Sequence, residues 1–127
     1  MKIVVDTHAW IEYLKGSETG SKVRQIVESE ENELFSSIIT VSEVSSVFKR
    51  ENRDVEQACV SIIDLSKIYF INLEFAKEAG ILHAETRKKI KDFGMADSII
   101  LLTARKLGAK ILTGDPHFKG FKEAVLI

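Results

Sequence analysis

The chain is 127 residues long and has one cysteine, Cys59, so no internal disulfide can form. With no cysteine cluster, a zinc or iron–sulfur site also lacks its usual ligands. No charge sign dominates. The 18 Lys and Arg face 19 Asp and Glu, for a net charge of -1, so no overall basic field advertises nucleic-acid binding. Any such contact must come from a local patch. Apolar runs are short and broken by Asp, Glu or Lys, and no signal-peptide pattern precedes the first strand, so neither a membrane span nor export is expected. A reducing cytoplasm is the expected setting. Neither G-x-x-x-x-G-K nor G-x-G-x-x-G occurs, which removes the common nucleotide-binding loops.

What is present is an ordinary globular composition, 45% hydrophobic and 29% charged, in a chain expected to be a single domain over residues 1–127. The organising stretch is Ile3-Val4-Val5-Asp6-Thr7. Three β-branched residues without polar alternation describe a strand covered on both faces, as in a parallel sheet. Ala9-Trp10-Ile11 with Tyr13 and Leu14 predicts a helix that stops at Gly16, followed by a turn over Ser17–Gly20 and a second helix through Val23, Ile26 and Val27. Leu34–Ser37 predicts a strand leading into a helix that opens at Thr40, where Thr40-Val41-Ser42-Glu43 fits a capping box. Asp54 caps a helix through Ala58, Ile62 and Leu65, and Tyr69-Phe70-Ile71 is a short strand.

A long helix is expected from about Glu74 to Lys91, with Gly80 weakening its middle. Met95 to Leu107 is a strongly apolar helix closed by Gly108. Lys110–Thr113 is a strand with a sharp exit at Gly114-Asp115-Pro116, and Val125–Ile127 ends the chain as another. Strands alternating with helices imply an α/β fold. Its form would be a three-layer α/β/α sandwich around a mainly parallel sheet of four to five strands.

In such a unit a helix begins near the C-terminal end of the strand before it. Asp6 follows the first strand, Glu43 lies early in the helix after the second, Asp97 lies near the start of the helix before the fourth, and Asp115 follows the fourth. All four map to one sheet edge, where open α/β sheets bind ligands. Each acid also has a structural explanation as a cap, a dipole partner or a turn residue. Together they are harder to explain that way. Two unit charges ~4 Å apart repel by about 4 kcal/mol at an effective dielectric near 20, so a carboxylate cluster needs a cation or a proton. Oxygen ligands point to a hard ion, Mg²⁺ or Mn²⁺.

Val5-Asp6-Thr7, Ser42-Glu43, Ala96-Asp97-Ser98-Ile99-Ile100 and Leu112-Thr113-Gly114-Asp115-Pro116-His117-Phe118 resemble the four motifs of the PIN-domain family, in order and across essentially the whole chain. The short VapC-type toxins of toxin–antitoxin pairs are the most similar group. The resemblance implies a metal-dependent endoribonuclease in which Asp6, Glu43, Asp97 and Asp115 form the acidic Mg²⁺ or Mn²⁺ cluster and Thr113 supports it. It also implies an RNA substrate, a small antitoxin protein and a homodimer formed through the early helices around Tyr13 and Ile26. The chain departs from the pattern at Gly114, where relatives often carry a polar residue, and in the bulky Leu101-Leu102.

Other residues have two readings each. His8 and His117 flank two of the acids and could touch RNA, or could be surface or packing residues; Trp10 and Phe118 could stack on bases, or be core. The run Arg87, Lys88, Lys89, Lys91 could track an RNA backbone near Asp97, or simply be a helix end favoured by its dipole. The alternative function is a catalytically idle PIN-fold interaction module. A receiver-like phosphoacceptor is weaker, because the acids after the first strand are not paired and no suitable Lys follows the last full strand.

Overall fold

In the computed structural model, which describes residues 1–127, the Ile3-Val4-Val5 run is strand β1 (Lys2–Val5) at the centre of a five-stranded sheet. β2 (Glu33–Ser37) lies on one side of it and β4 (Lys110–Thr113) on the other, with β3 (Lys67–Tyr69) and β5 (Ala124–Leu126) at the edges. Every pairing is parallel, with Val4 opposite Phe35 and Val5 opposite Leu112.

The pleat divides the core in two. Ile3, Val5, Leu34 and Leu112 face helices α1 (Thr7–Lys15), α2 (Glu18–Val27), α3 (Ile38–Arg50) and α4 (Val55–Leu65), packing with Trp10, Val23, Val44 and Ile62. Val4, Phe35 and Ile111 face the opposite layer, packing with Ile100, Leu101 and Ala104 of α6 (Met95–Leu107). Helix α5 (Leu73–Thr86) lies against α6, where the Ser98 hydroxyl donates to the Ala79 carbonyl at 2.7 Å. Full burial of each such aliphatic side chain contributes roughly 1.5–3 kcal/mol, and the three-layer sandwich follows from covering both faces of one apolar sheet.

Trp10 and Phe118 are both buried, so neither is free to stack on a base. The Trp10 indole N–H instead donates to the Ser36 hydroxyl at 2.8 Å.

Four local expectations shift. Ser17 caps α2 by accepting the Gly20 N–H at 2.9 Å, so Ser17–Gly20 is a cap and a helical turn. Gly16, at φ 67°, has already stopped α1, and the second helix starts at once. The capping box at Thr40 does not form, because Ser37 caps α3 by accepting the Ile39 N–H at 3.2 Å. Thr40 is buried one turn inside, and its hydroxyl has no hydrogen-bond partner. The third strand is Lys67–Tyr69, leaving Phe70 73% exposed beyond it. Helix α5 ends at Thr86, so Arg87, Lys88 and Lys89 form a turn rather than a helix end. Phe93 anchors the segment after this turn, with its ring 5.9 Å from Phe118 and 5.8 Å from Phe121.

Candidate active site

The chain leaves β1 toward the α1–α4 layer and reaches β4 from the α5–α6 layer. The crevice beyond the ends of these two adjacent strands is therefore a topological switch point. A cavity of about 240 Å³ opens there, and Asp6, Glu43, Asp97 and Asp115 all line it, with Thr7 and His8.

Asp6 is only 6% exposed. One carboxylate oxygen caps α1 by accepting the Ala9 N–H at 2.9 Å, and the other accepts the Thr113 hydroxyl. The cap and the site are the same residue. Burial pushes its carboxyl up to about 6, against the Thr113 and Ala9 hydrogen bonds, which favour the ionised form. The neighbouring Asp115 charge adds to the rise.

Asp97 stands in the first turn of α6, where its Oδ2 accepts the Gly94 N–H at 2.8 Å and lies 3.2 Å from His117 Nδ1. Burial raises its pKa, and Asp115 raises it further, while Gly94 and His117 pull the other way. Asp115 Oδ1 accepts the His117 N–H at 2.8 Å, and the Asp115 N–H donates to the Thr113 hydroxyl at 2.9 Å. Glu43 Oε1 accepts the Thr7 hydroxyl at 2.6 Å, which joins α3 to the first residue of α1.

The chemistry of the donors fits a divalent cation. Asp97, Asp115 and His117 each present a ligand atom, all within 4.8 Å of one another. The carboxylate oxygens suit Mg²⁺ or Mn²⁺, and an imidazole nitrogen among them favours Mn²⁺ over the harder Mg²⁺. Asp6 and Glu43 share the cavity but lie outside this tight trio. In the sequence His117 stands only as a residue that could touch RNA or pack. Its signal as a ligand is its place two residues after Asp115, where a one-turn 3₁₀ helix (Pro116–Phe118) folds its ring back, 3.3 Å from Asp115 Oδ1.

The His8 ring, which also lines the cavity, lies against Gly114. Thr113 is buried and connects Asp6 to Asp115. Arg87, Lys88, Lys89 and Lys91 are exposed in the segment leading into α6, upstream of Asp97. His83 is half-buried on α5, away from the cavity-lining set, and Cys59 lies 3.5 Å from the Ser45 hydroxyl.

Residues 3–124 match the PIN domain family. The chain belongs to that family. Among solved structures, this PIN domain is similar to a chain of a toxin–antitoxin complex from Klebsiella pneumoniae, with a TM-score of 0.74 and 22% identity over 97% of this chain and 95% of that one. It is similar to Mycobacterium tuberculosis VapC20, a sarcin–ricin loop cleaving toxin, at TM-score 0.74 and 17% identity, covering 95% of this chain and 97% of that one. A chain of Rickettsia felis VapBC2, bound to promoter DNA, gives TM-score 0.72 and 16% identity over 100% and 98%. These likenesses establish the fold of this PIN domain. Comparison with curated proteins gives no match. No helix of the PIN domain is long and apolar enough to cross a membrane.

Proposed function

We propose that this PIN domain is a metal-dependent endoribonuclease and the toxin of a toxin–antitoxin pair. The observation that supports the reading above all others is the meeting of Asp6, Glu43, Asp97 and Asp115 in one cavity at the switch point of the sheet. Four carboxylates from four separate segments of the chain serve no shared structural purpose there, and the raised pKa values of Asp6 and Asp97 record what their crowding and burial cost.

Asp97, Asp115 and His117 would hold Mg²⁺ or Mn²⁺, with Asp6 and Glu43 completing the acidic cluster. When bound, the ion supplies positive charge that polarises a phosphodiester and makes water a better nucleophile. Thr113 orients Asp6 with its hydroxyl proton and fixes the Asp115 backbone with its oxygen. Thr7 orients Glu43 in the same way, with its hydroxyl proton. The exposed Arg87, Lys88, Lys89 and Lys91 would track the RNA backbone, supplying the cations that an acidic cavity lacks.

Among proteins with this fold, the Klebsiella pneumoniae chain was solved in a toxin–antitoxin complex. For this chain we read the same arrangement: a small antitoxin whose peptide fills the cavity and places a basic side chain among the carboxylates. A homodimer through α1 and α2, around Tyr13 and Ile26, completes the assembly.

The test is incubation of the purified protein with defined RNAs in Mg²⁺, Mn²⁺ or EDTA, beside Asp97→Asn. The wild type should cut RNA only with the metal, and the variant should not cut. Because one repelling charge is gone, the variant should unfold in urea at the same or a higher midpoint when metal-free. Equal cutting by both proteins removes the metal assignment, and no cutting by either makes the chain an idle interaction module.

A further inference from the structure

His8 is the one polar cavity-lining side chain that the chemistry above leaves unused. It is the second residue of α1, its side chain is 48% exposed, and its ring lines the cavity beside Asp6 and Asp115. Neither ring nitrogen makes a hydrogen bond within the protein. The nearest acid is Glu12, whose Oε1 stands 3.7 Å from Nε2, beyond hydrogen-bond reach, and whose other carboxylate oxygen is taken by the Ser17 hydroxyl.

The ring has nonetheless a defined seat. A Cβ at position 114 would stand 2.5 Å from both Cε1 and Nδ1 of His8, and the three atoms nearest to that point all belong to this ring. Gly114 has no positive φ, so its backbone does not demand glycine. The imidazole occupies the space that a side chain would fill. Thr113 and Asp115 flank the seat, so His8 is parked over the segment that bears the site, at the cavity wall and with neither ring nitrogen engaged in a hydrogen bond.

Resting on the nuclease reading, we propose that His8, seated on Gly114, donates a hydrogen bond to a nonbridging oxygen of the RNA phosphodiester entering the cavity. An N–H donor at this rim offsets the repulsion that the carboxylates impose on a phosphate. The contact contributes to substrate affinity, and Gly114 is the positioning residue that makes room for it.

The test compares His8→Ala, His8→Gln, His8→Phe, Gly114→Ala and the His8→Ala/Gly114→Ala double variant. KM and kcat are measured on one RNA with Mg²⁺, and RNA affinity is measured by fluorescence anisotropy in EDTA. His8→Ala should raise KM and weaken metal-free binding by about tenfold, the scale of one hydrogen bond to a charged group, with kcat and the urea midpoint little changed. His8→Gln should recover most of the affinity, and His8→Phe none. Gly114→Ala should match His8→Ala, because the new methyl evicts a half-exposed ring at little cost in stability. In the double variant it should add nothing. Recovery by Phe but not Gln assigns base stacking and overturns the proposal. A cutting wild type with an unchanged His8→Ala also overturns it and leaves the nuclease reading intact. A wild type that neither cuts nor binds RNA overturns both.

Discussion

The Thr113 hydroxyl donates to the Asp6 carboxylate between residues 107 positions apart, tying the end of β4 to the end of β1. The same hydroxyl accepts the Asp115 N–H at 2.9 Å. One side chain thus aligns two acids of the candidate site, and neither bond can be replaced by water in a buried setting without cost.

Thr113→Val keeps the shape and deletes both bonds. It should cost about 1–3 kcal/mol at pH 7.5, with Thr113→Ser restoring most of the loss. The donor favours ionised Asp6, so the loss should shrink near pH 4.5, where that carboxyl is protonated. Urea unfolding at the two pH values checks this; an equal loss at both would mean that the bond has no charge preference.

The pH dependence of the metal-free protein follows from Asp6 itself, whose carboxyl moves from 3.8 up to about 6 on folding. Between those values the folded chain binds a proton that the unfolded chain releases, so stability is greater at the acid end and falls as pH rises through about 6. Asp97 shifts in the same direction and adds to the fall. The full swing for Asp6 is about 3 kcal/mol, at 1.36 kcal/mol per pKa unit. Stability in EDTA should therefore drop from pH 4.5 to 7.5, and Asp6→Asn should flatten the curve. Saturating Mn²⁺, which binds ionised carboxylates, should reverse the slope. A steady rise over that range in EDTA would contradict the assignment.

Two glycines inside helices should respond oppositely to alanine. A Cβ on Gly20 would stand 2.2 Å from the Glu12 carbonyl oxygen and 2.9 Å from its carbon, backbone that cannot rotate away. Gly20→Ala must push α2 off α1 and should cost about 1–3 kcal/mol. Gly80 in α5 has nothing within 4 Å of such a Cβ, so Gly80→Ala should stabilise by about 0.5–1 kcal/mol. Thermal midpoints of the pair are the measurement, and shifts of the same sign would refute the packing argument.

Changing Arg87, Lys88, Lys89 and Lys91 together to Gln should leave the fold intact, since all four are exposed. RNA binding should weaken, and the slope of log affinity against log salt should become shallower by about 0.7 for each phosphate that the variant no longer neutralises. An unchanged slope would assign the run to solubility alone.

Much of this protein was legible in order along the chain, because its signals are local. Three β-branched residues at Ile3-Val4-Val5 mark a strand buried on both faces, and Gly94 and Gly108 bound the apolar helix Met95–Leu107. The parallel connection rule then carries Asp6, Glu43, Asp97 and Asp115 to one sheet edge before any side chain is placed. Caps were harder to read, since Ser37 and Thr40 offer the same chemistry three residues apart, and where the strand ends decided for Ser37.

Only the tertiary structure decided how the acids are partnered. His117 reaches Asp97 across 20 positions because Phe93, Phe118 and Phe121 pack together and draw the end of β4 toward the start of α6. The seat of His8 on Gly114 likewise exists because β1 and β4 are hydrogen-bonded neighbours. Periodicity and capping act within a turn or two of backbone and are written in consecutive residues. The meeting of two side chains from distant segments depends on how the layers close over one another, and no short stretch of sequence carries that.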